Sequence, residues 1–174
     1  MRKSVFLALC VVALFGCHAK YQVNNLAASE IGRLDRRKAV YIAIPIDASY
    51  GSKKYAGSGQ IVTQELANAF SRAAARVQIA EKSMATTEEV VAAAARADAG
   101  YAVIPTIAHW EQRATEWSGR PSRMAIRVVV LDAATGKQVS STAVEGRSRI
   151  FSFTSTSPES LLKEPLATYV SGIY

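Results

Sequence analysis

The 174-residue chain holds only two cysteines, two histidines and two tryptophans, and each shortage removes a class of explanation. Both cysteines, Cys10 and Cys17, fall in the first seventeen residues, so no disulfide framework can staple the body of the chain. It has to be stabilised by a core of its own, which a domain of this length can bury. The histidines are His18 and His109, so His109 would have to serve as the sole base of any serine-based triad. No serine lies in a Gly-x-Ser-x-Gly elbow, and two separated histidines lack the cluster a zinc site needs. Glu111 and Glu116 could share a surface, but spacing alone does not make an acid/base pair. The inventory points to no enzyme, no metal and no cofactor, with His109 read as a strand residue. No apolar run reaches the roughly 20 residues a membrane-spanning helix requires.

What is present is a leader. In "MRKSVFLALCVVALFGC", Arg2 and Lys3 precede an almost unbroken apolar stretch from Val5 to Phe15, the layout of a secretory signal. Leu14-Phe15-Gly16-Cys17 resembles the bacterial lipobox, in which a leucine, a loosely specified residue, a small residue and a cysteine are read by lipid-transferring and cleaving enzymes. The resemblance implies cleavage before Cys17, loss of Cys10, and a covalent lipid on Cys17 that blocks the remaining thiol. The alternative is an ordinary cleaved signal with a chance cysteine. Each buried methylene contributes about 0.8 kcal/mol, so two or more acyl chains give lasting attachment. In a Gram-negative source, His18 in place of an aspartate after the lipid cysteine favours the periplasmic face of the outer membrane.

The net charge of +7 falls by two when Arg2 and Lys3 leave with the leader. Such an excess attracts anionic lipid, polyanionic glycan or nucleic acid, and export argues against nucleic acid. The bases are scattered apart from Arg36-Arg37-Lys38 and the interval with Arg113, Arg120, Arg123 and Arg127. Arg36-Arg37-Lys38 reads as a solvated flank guarding a strand, or else as a lipid-binding patch. The expected layout is a signal peptide over 1–16, a lipidated cysteine with a flexible tether over 17–38, and one folded domain over 39–174. A tether of that length would place the domain on the order of 25 Å from the membrane.

Within the domain, "AVYIAIPI" reads as a strand buried on both faces. In the following helix Val62, Leu66, Phe70, Ala73 and Val77 share one side, while Gln64, Asn68, Arg72 and Arg76 face away. "VQIAE" is a short strand. Thr86 and Glu89 have capping-box spacing ahead of an alanine-rich helix that ends by Gly100. "YAVIPTIAHWEQRA" repeats the Tyr-x-x-Ile-Pro of the first strand, which suggests two parallel strands each limited by a proline. Two further strands meet at a turn over Asp132 to Gly136. Ser157-Pro158 then starts a helix that carries Leu161, Leu162 and Leu166 toward the core. Alternation followed by a meander predicts a single α/β (α+β) domain, a mixed sheet of about five strands with helices packed on it.

The apolar first strand ending in proline and the late "VVVLDAATGKQVSSTAVEG" hairpin resemble periplasmic α/β domains of the curli-secretion lipoprotein, the TolB amino terminus and lipoprotein activators of penicillin-binding proteins. "YGSKKYAGSG", "HWEQRATEWSG" and "SPESLLKEPLATYVSGIY" resemble a proteobacterial lipoprotein family of unknown function. That resemblance implies an envelope location and no known activity.

Two segments stand out as candidate sites. Gly57-Ser58-Gly59 begins like a dinucleotide fingerprint, but Val62 replaces its third glycine and no Walker lysine follows. Its amides could hold an anion at a helix start, or the segment could be a plain capped turn. "HWEQRATEWSGRPSR" offers Trp110, Arg113, Trp117 and Arg120 as a partner-binding surface for a protein or sugar polymer. The bland reading packs both tryptophans beside the sheet with the charges solvated. The expected function is a membrane-anchored, non-enzymatic interaction module of the cell envelope; the alternative is a periplasmic glycan- or peptidoglycan-binding domain.

Overall fold

The computed structural model of the chain describes residues 20–27, 33–112, 121–148 and 157–174. The described elements run in the order β1 (Lys20–Ala27), β2 (Val40–Ile42), β3 (Ala48–Tyr50), β4 (Lys53–Tyr55), α1 (Ser58–Phe70), β5 (Val77–Ile79), α2 (Thr87–Arg96), β6 (Tyr101–Glu111), β7 (Arg123–Asp132), β8 (Gln138–Arg147), a 3-10 turn (Pro158–Leu161) and α3 (Lys163–Ile173). The main sheet is mixed, in the order β1-β8-β7-β6-β2-β5, and β3 with β4 forms a separate hairpin. β2 lies parallel to both β5 and β6. The other neighbours are antiparallel.

The sheet has six strands rather than five because residues read as tether are part of the fold. In β1, half-buried Tyr21 and Val23 alternate with exposed Gln22 and Asn24, and the strand pairs with β8. Only two apolar positions in a polar run carry the period-2 signal, so backbone pairing rather than hydrophobicity places it. The chain docks again farther on. Leu34 is buried, its N–H donates to Ile173 O at 2.8 Å, and Asp35 N–H donates to Tyr101 Oη at 3.0 Å. Among the described residues, pairing and docking therefore already involve Lys20–Ala27 and Leu34, within the stretch read as tether.

Helix α1 lays Val62, Leu66 and Phe70 into the core with no exposed surface, on the side the sequence assigned to them. Leu162, Leu166 and Tyr169 cover the same sheet face from the carboxy-terminal helix, with Tyr169 Oη 2.9 Å from Ser140 Oγ. Ser157 does not cap by its hydroxyl; its carbonyl accepts from the Ser160 side chain instead. The other sheet face is covered by α2, through Val90 and Ala94 against Ala102 and Leu131. α2 starts as expected: Thr86 Oγ1 accepts from Glu89 N–H at 3.2 Å, while Glu89 reaches back to Ala85 N–H at 2.9 Å. At the β7–β8 turn, Asp132 Oδ1 accepts from the amides of Ala134 and Thr135, and Gly136 supplies the positive φ.

The two Tyr-x-x-Ile-Pro segments do lie parallel, but one residue out of step, with Tyr41 opposite Ala102 and Ile42 opposite Val103. Ala43 N–H donates to Val103 O at 2.9 Å. The next amide of the ladder belongs to Pro105, which has none. Pairing between β2 and β6 stops there, and the Thr63 hydroxyl approaches the Ala43 carbonyl at 3.3 Å instead. β6 itself continues to Glu111, because Pro105 turns its missing donor toward β2 and leaves the β7 ladder intact.

A bulge between Ile107 and His109 resets the phase of β6. It turns Trp110 onto the face already holding Tyr101, Val103 and Ile107, where the indole is 3% exposed. Trp110 is a core residue, which corrects its assignment to a partner-binding surface. Replacing Trp110 with alanine is expected to destabilise the domain by about 3–5 kcal/mol, measured as a lowered denaturant midpoint. A change below 1 kcal/mol would contradict the packing described.

Candidate functional site

Where β2 and β6 part, the sheet opens into a crevice of about 510 Å³. It lies at the carboxyl ends of the parallel strands, between the chain leaving β2 for α1 and the chain entering α2 on the opposite face. Open α/β sheets bind ligands at such a place. Ile44, Pro45, Met84, Ile104 and Ile107 line it, and Ile46 stands on its rim with 81% of its surface exposed.

Several of the polar side chains around the crevice are engaged by backbone amides. Asp47 Oδ1 accepts from Gly59 N–H at 2.8 Å and Oδ2 from Gly57 N–H at 2.9 Å. Those two amide bonds, Gly59 first, hold the Asp47 carboxyl below the usual carboxylate range. The Ser58 hydroxyl is not the cap of α1; it accepts from Ala48 N–H at 2.8 Å. Gly57 takes φ 83°, and at Gly59 a methyl group would collide with the Pro45 carbonyl oxygen. At Gly57 and Gly59, the amides that the sequence offered to an external anion therefore face a carboxylate of the same chain. Asp47 was not singled out in the sequence because a capping side chain ten residues before its helix has no local signature.

His109 sits at the end of the crevice, its ring edge-on to Tyr50 at 5.2 Å between centroids. Its Nε2 is 3.5 Å from Glu111 Oε2, close enough for an ion pair with a protonated ring but without hydrogen-bond alignment. Among the described residues no three His, Cys, Asp or Glu side chains are grouped to hold a metal, and no helix is long and apolar enough to cross a membrane. Cys17, Arg113, Trp117 and Arg120 lie outside the described residues.

The model of a domain of unknown function, DUF4823, matches residues 32–173. The chain belongs to the DUF4823 family. No curated protein matches it. Among solved structures, the fold is shared with the PelC dodecamer from Paraburkholderia phytofirmans, at a TM-score of 0.63 and 17% identity over 85% of this chain and 96% of that one. It is also similar to XCC0632 from Xanthomonas campestris, of the DUF330 family, with a TM-score of 0.51 and 14% identity over 84% of this chain and 87% of that one. TolB from Acinetobacter baumannii is similar at a TM-score of 0.40 and 12% identity, over 89% of this chain and 30% of that one. This DUF4823 domain thus has the fold class its sequence implied, in a family without an assigned activity.

Asp47 gives the site a pH signature. Its folded pKa is depressed, so its contribution is complete above the unfolded carboxyl value of about 3.9 and is lost as pH falls through the lower folded value. Asp47→Ala is expected to lose about 1 kcal/mol at neutral pH, with the gap to wild type closing in acid. Melting curves from pH 7 to pH 2 test this, and a gap independent of pH would exclude the charged cap.

Proposed function

We propose that this protein is a lipid-anchored, non-enzymatic interaction module of the cell envelope, held through Cys17 at the periplasmic face of the outer membrane in a Gram-negative cell. The observation that carries the reading is the likeness to PelC, which spans 96% of that chain and so concerns a whole domain rather than a fragment. PelC forms a dodecamer, so at least one protein of this fold assembles. The crevice supports the same reading: Asp47, Thr86 and Glu89 are engaged by backbone amides, while Ile46 offers apolar surface. The glycan-binding alternative loses a stacking platform with Trp110 in the core.

Labelled palmitate is expected to enter the wild-type protein and to vanish with Cys17→Ala; label retained in that variant would overturn the anchor. Chemical cross-linking in intact cells is expected to trap the lipoprotein in species larger than the monomer. Monomer alone, at normal abundance, would count against an interaction module.

A further inference from the structure

The strand register fixes which end of the domain the anchor leaves from. Lys20 pairs with Arg147, Arg147 with Arg123, and Arg123 with Glu111. The first residue of β1 therefore lies at the pole where β6 ends and the crevice opens. Only His18 and Ala19 separate Lys20 from Cys17, a reach of roughly 10 Å fully extended. We infer that this pole rests on the phospholipid leaflet holding the anchor, with Ile46 and Tyr50 at headgroup depth and neighbouring bases on lipid phosphates. The inference depends on the lipid-anchor reading of Cys17.

The surface fits that occupant. Among the described residues, the large hydrophobics that stay exposed are Ile46 at 81%, Tyr50 at 45% and Ile79 at 40%, and the two most exposed, Ile46 and Tyr50, belong to this end. Ile46 follows β2 and Tyr50 packs on His109 near the end of β6, whereas Ile79, level through Ile42 with Val103, lies toward the start of β6. Exposed Lys53 and Lys54 lie on the β3–β4 hairpin, which is tied to the same pole by Gln112 N–H donating to Tyr55 Oη at 3.3 Å. Arg123 and Arg147 are exposed there too. Of the described carboxylates nearby, Asp47 caps α1, Glu111 is buried, and Glu145 is exposed. Apolar side chains among bases suit the boundary between acyl chains and anionic headgroups.

Charge alone would not choose this pole, because the opposite one is basic as well. There, however, Arg37 pairs with Asp35, Lys38 with Asp132, and Arg76 donates to the carbonyls of Ala97 and Asp98. Ile46 and Tyr50, the most exposed large hydrophobics among the described residues, lie away from that end, and only the less exposed Ile79 is nearer to it.

The mature lipoprotein offers a clean test because its native thiol would be acylated. A thiol-reactive NBD fluorophore is placed at Ile46→Cys, or at Ala134→Cys in the β7–β8 turn of the opposite pole. Both proteins are reconstituted into vesicles of phosphatidylethanolamine and phosphatidylglycerol containing spin-labelled phospholipid. The expected result is quenching several-fold greater at position 46 than at 134, reduced when Lys53→Glu and Lys54→Glu are added. Equal quenching in protein that floats with the vesicles overturns the proposal and leaves the anchor standing. Protein that carries no lipid by mass and does not float fails the anchor reading, and the proposal with it. A spectral shift at position 46 in detergent that grows with protein concentration assigns the face to a second copy and also overturns it.

Discussion

A missing hydrogen-bond donor shapes the crevice end of this domain. Pro105 occupies the place whose amide would extend the parallel ladder from β6 to Ala43, and without it the two strands separate after Val103. The orphaned Ala43 carbonyl turns to Thr63 on α1, which draws the start of that helix against the end of β2. Asp47 then reaches the amides of Gly57 and Gly59, and the absence of a side chain at Gly59 lets the Pro45 carbonyl come close. Crevice, helix start and exposed Ile46 all follow from that one interruption.

The same arrangement explains why an anion-loop signature is a poor guide here. Helix amino termini attract negative charge through free amides and the helix dipole. Nothing in that physics distinguishes a bound phosphate from a carboxylate supplied by the chain. Gly57-Ser58-Gly59 met the local requirement, and Asp47 met it from ten residues away. Two amides of the loop already hold a carboxylate of the chain, which shifts attention from polar chemistry in the crevice to the apolar surface on its rim.

Legibility in the sequence followed the range of the interaction involved. Features set by neighbours a few residues apart were readable: the buried stripe of α1, the Thr86–Glu89 cap, the Asp132 turn and the leucines of the last helix. Features set by partners far along the chain were not. β1 is held by pairing with β8, more than a hundred residues later, and its polar composition disguised it as tether. Trp110 was offered as a partner contact with a packed position as the alternative, and what buries it, a single extra residue at Ala108 that inverts the side-chain alternation of β6, has no mark in the sequence. Counting from Tyr101 without that bulge would have turned His109 inward and left Trp110 facing out. The exposed residues of the crevice rim carry no sequence signal, since an isoleucine is unremarkable until the fold leaves it uncovered.

Folding the tether into the sheet changes what an anchored domain can do. A flexible chain of about 20 residues lets a domain sample a shell on the order of 25 Å from the bilayer and turn any face toward a partner. With β1 paired to β8, the reach left between Cys17 and the domain falls to roughly 10 Å, and orientation becomes part of the attachment. On the proposed lipid anchor, the pole with Ile46 and Tyr50 is directed to the leaflet, while the pole with Arg36, Arg37 and Arg76 projects away from it. Partners in the envelope would meet the sides of the sheet and that outer basic pole.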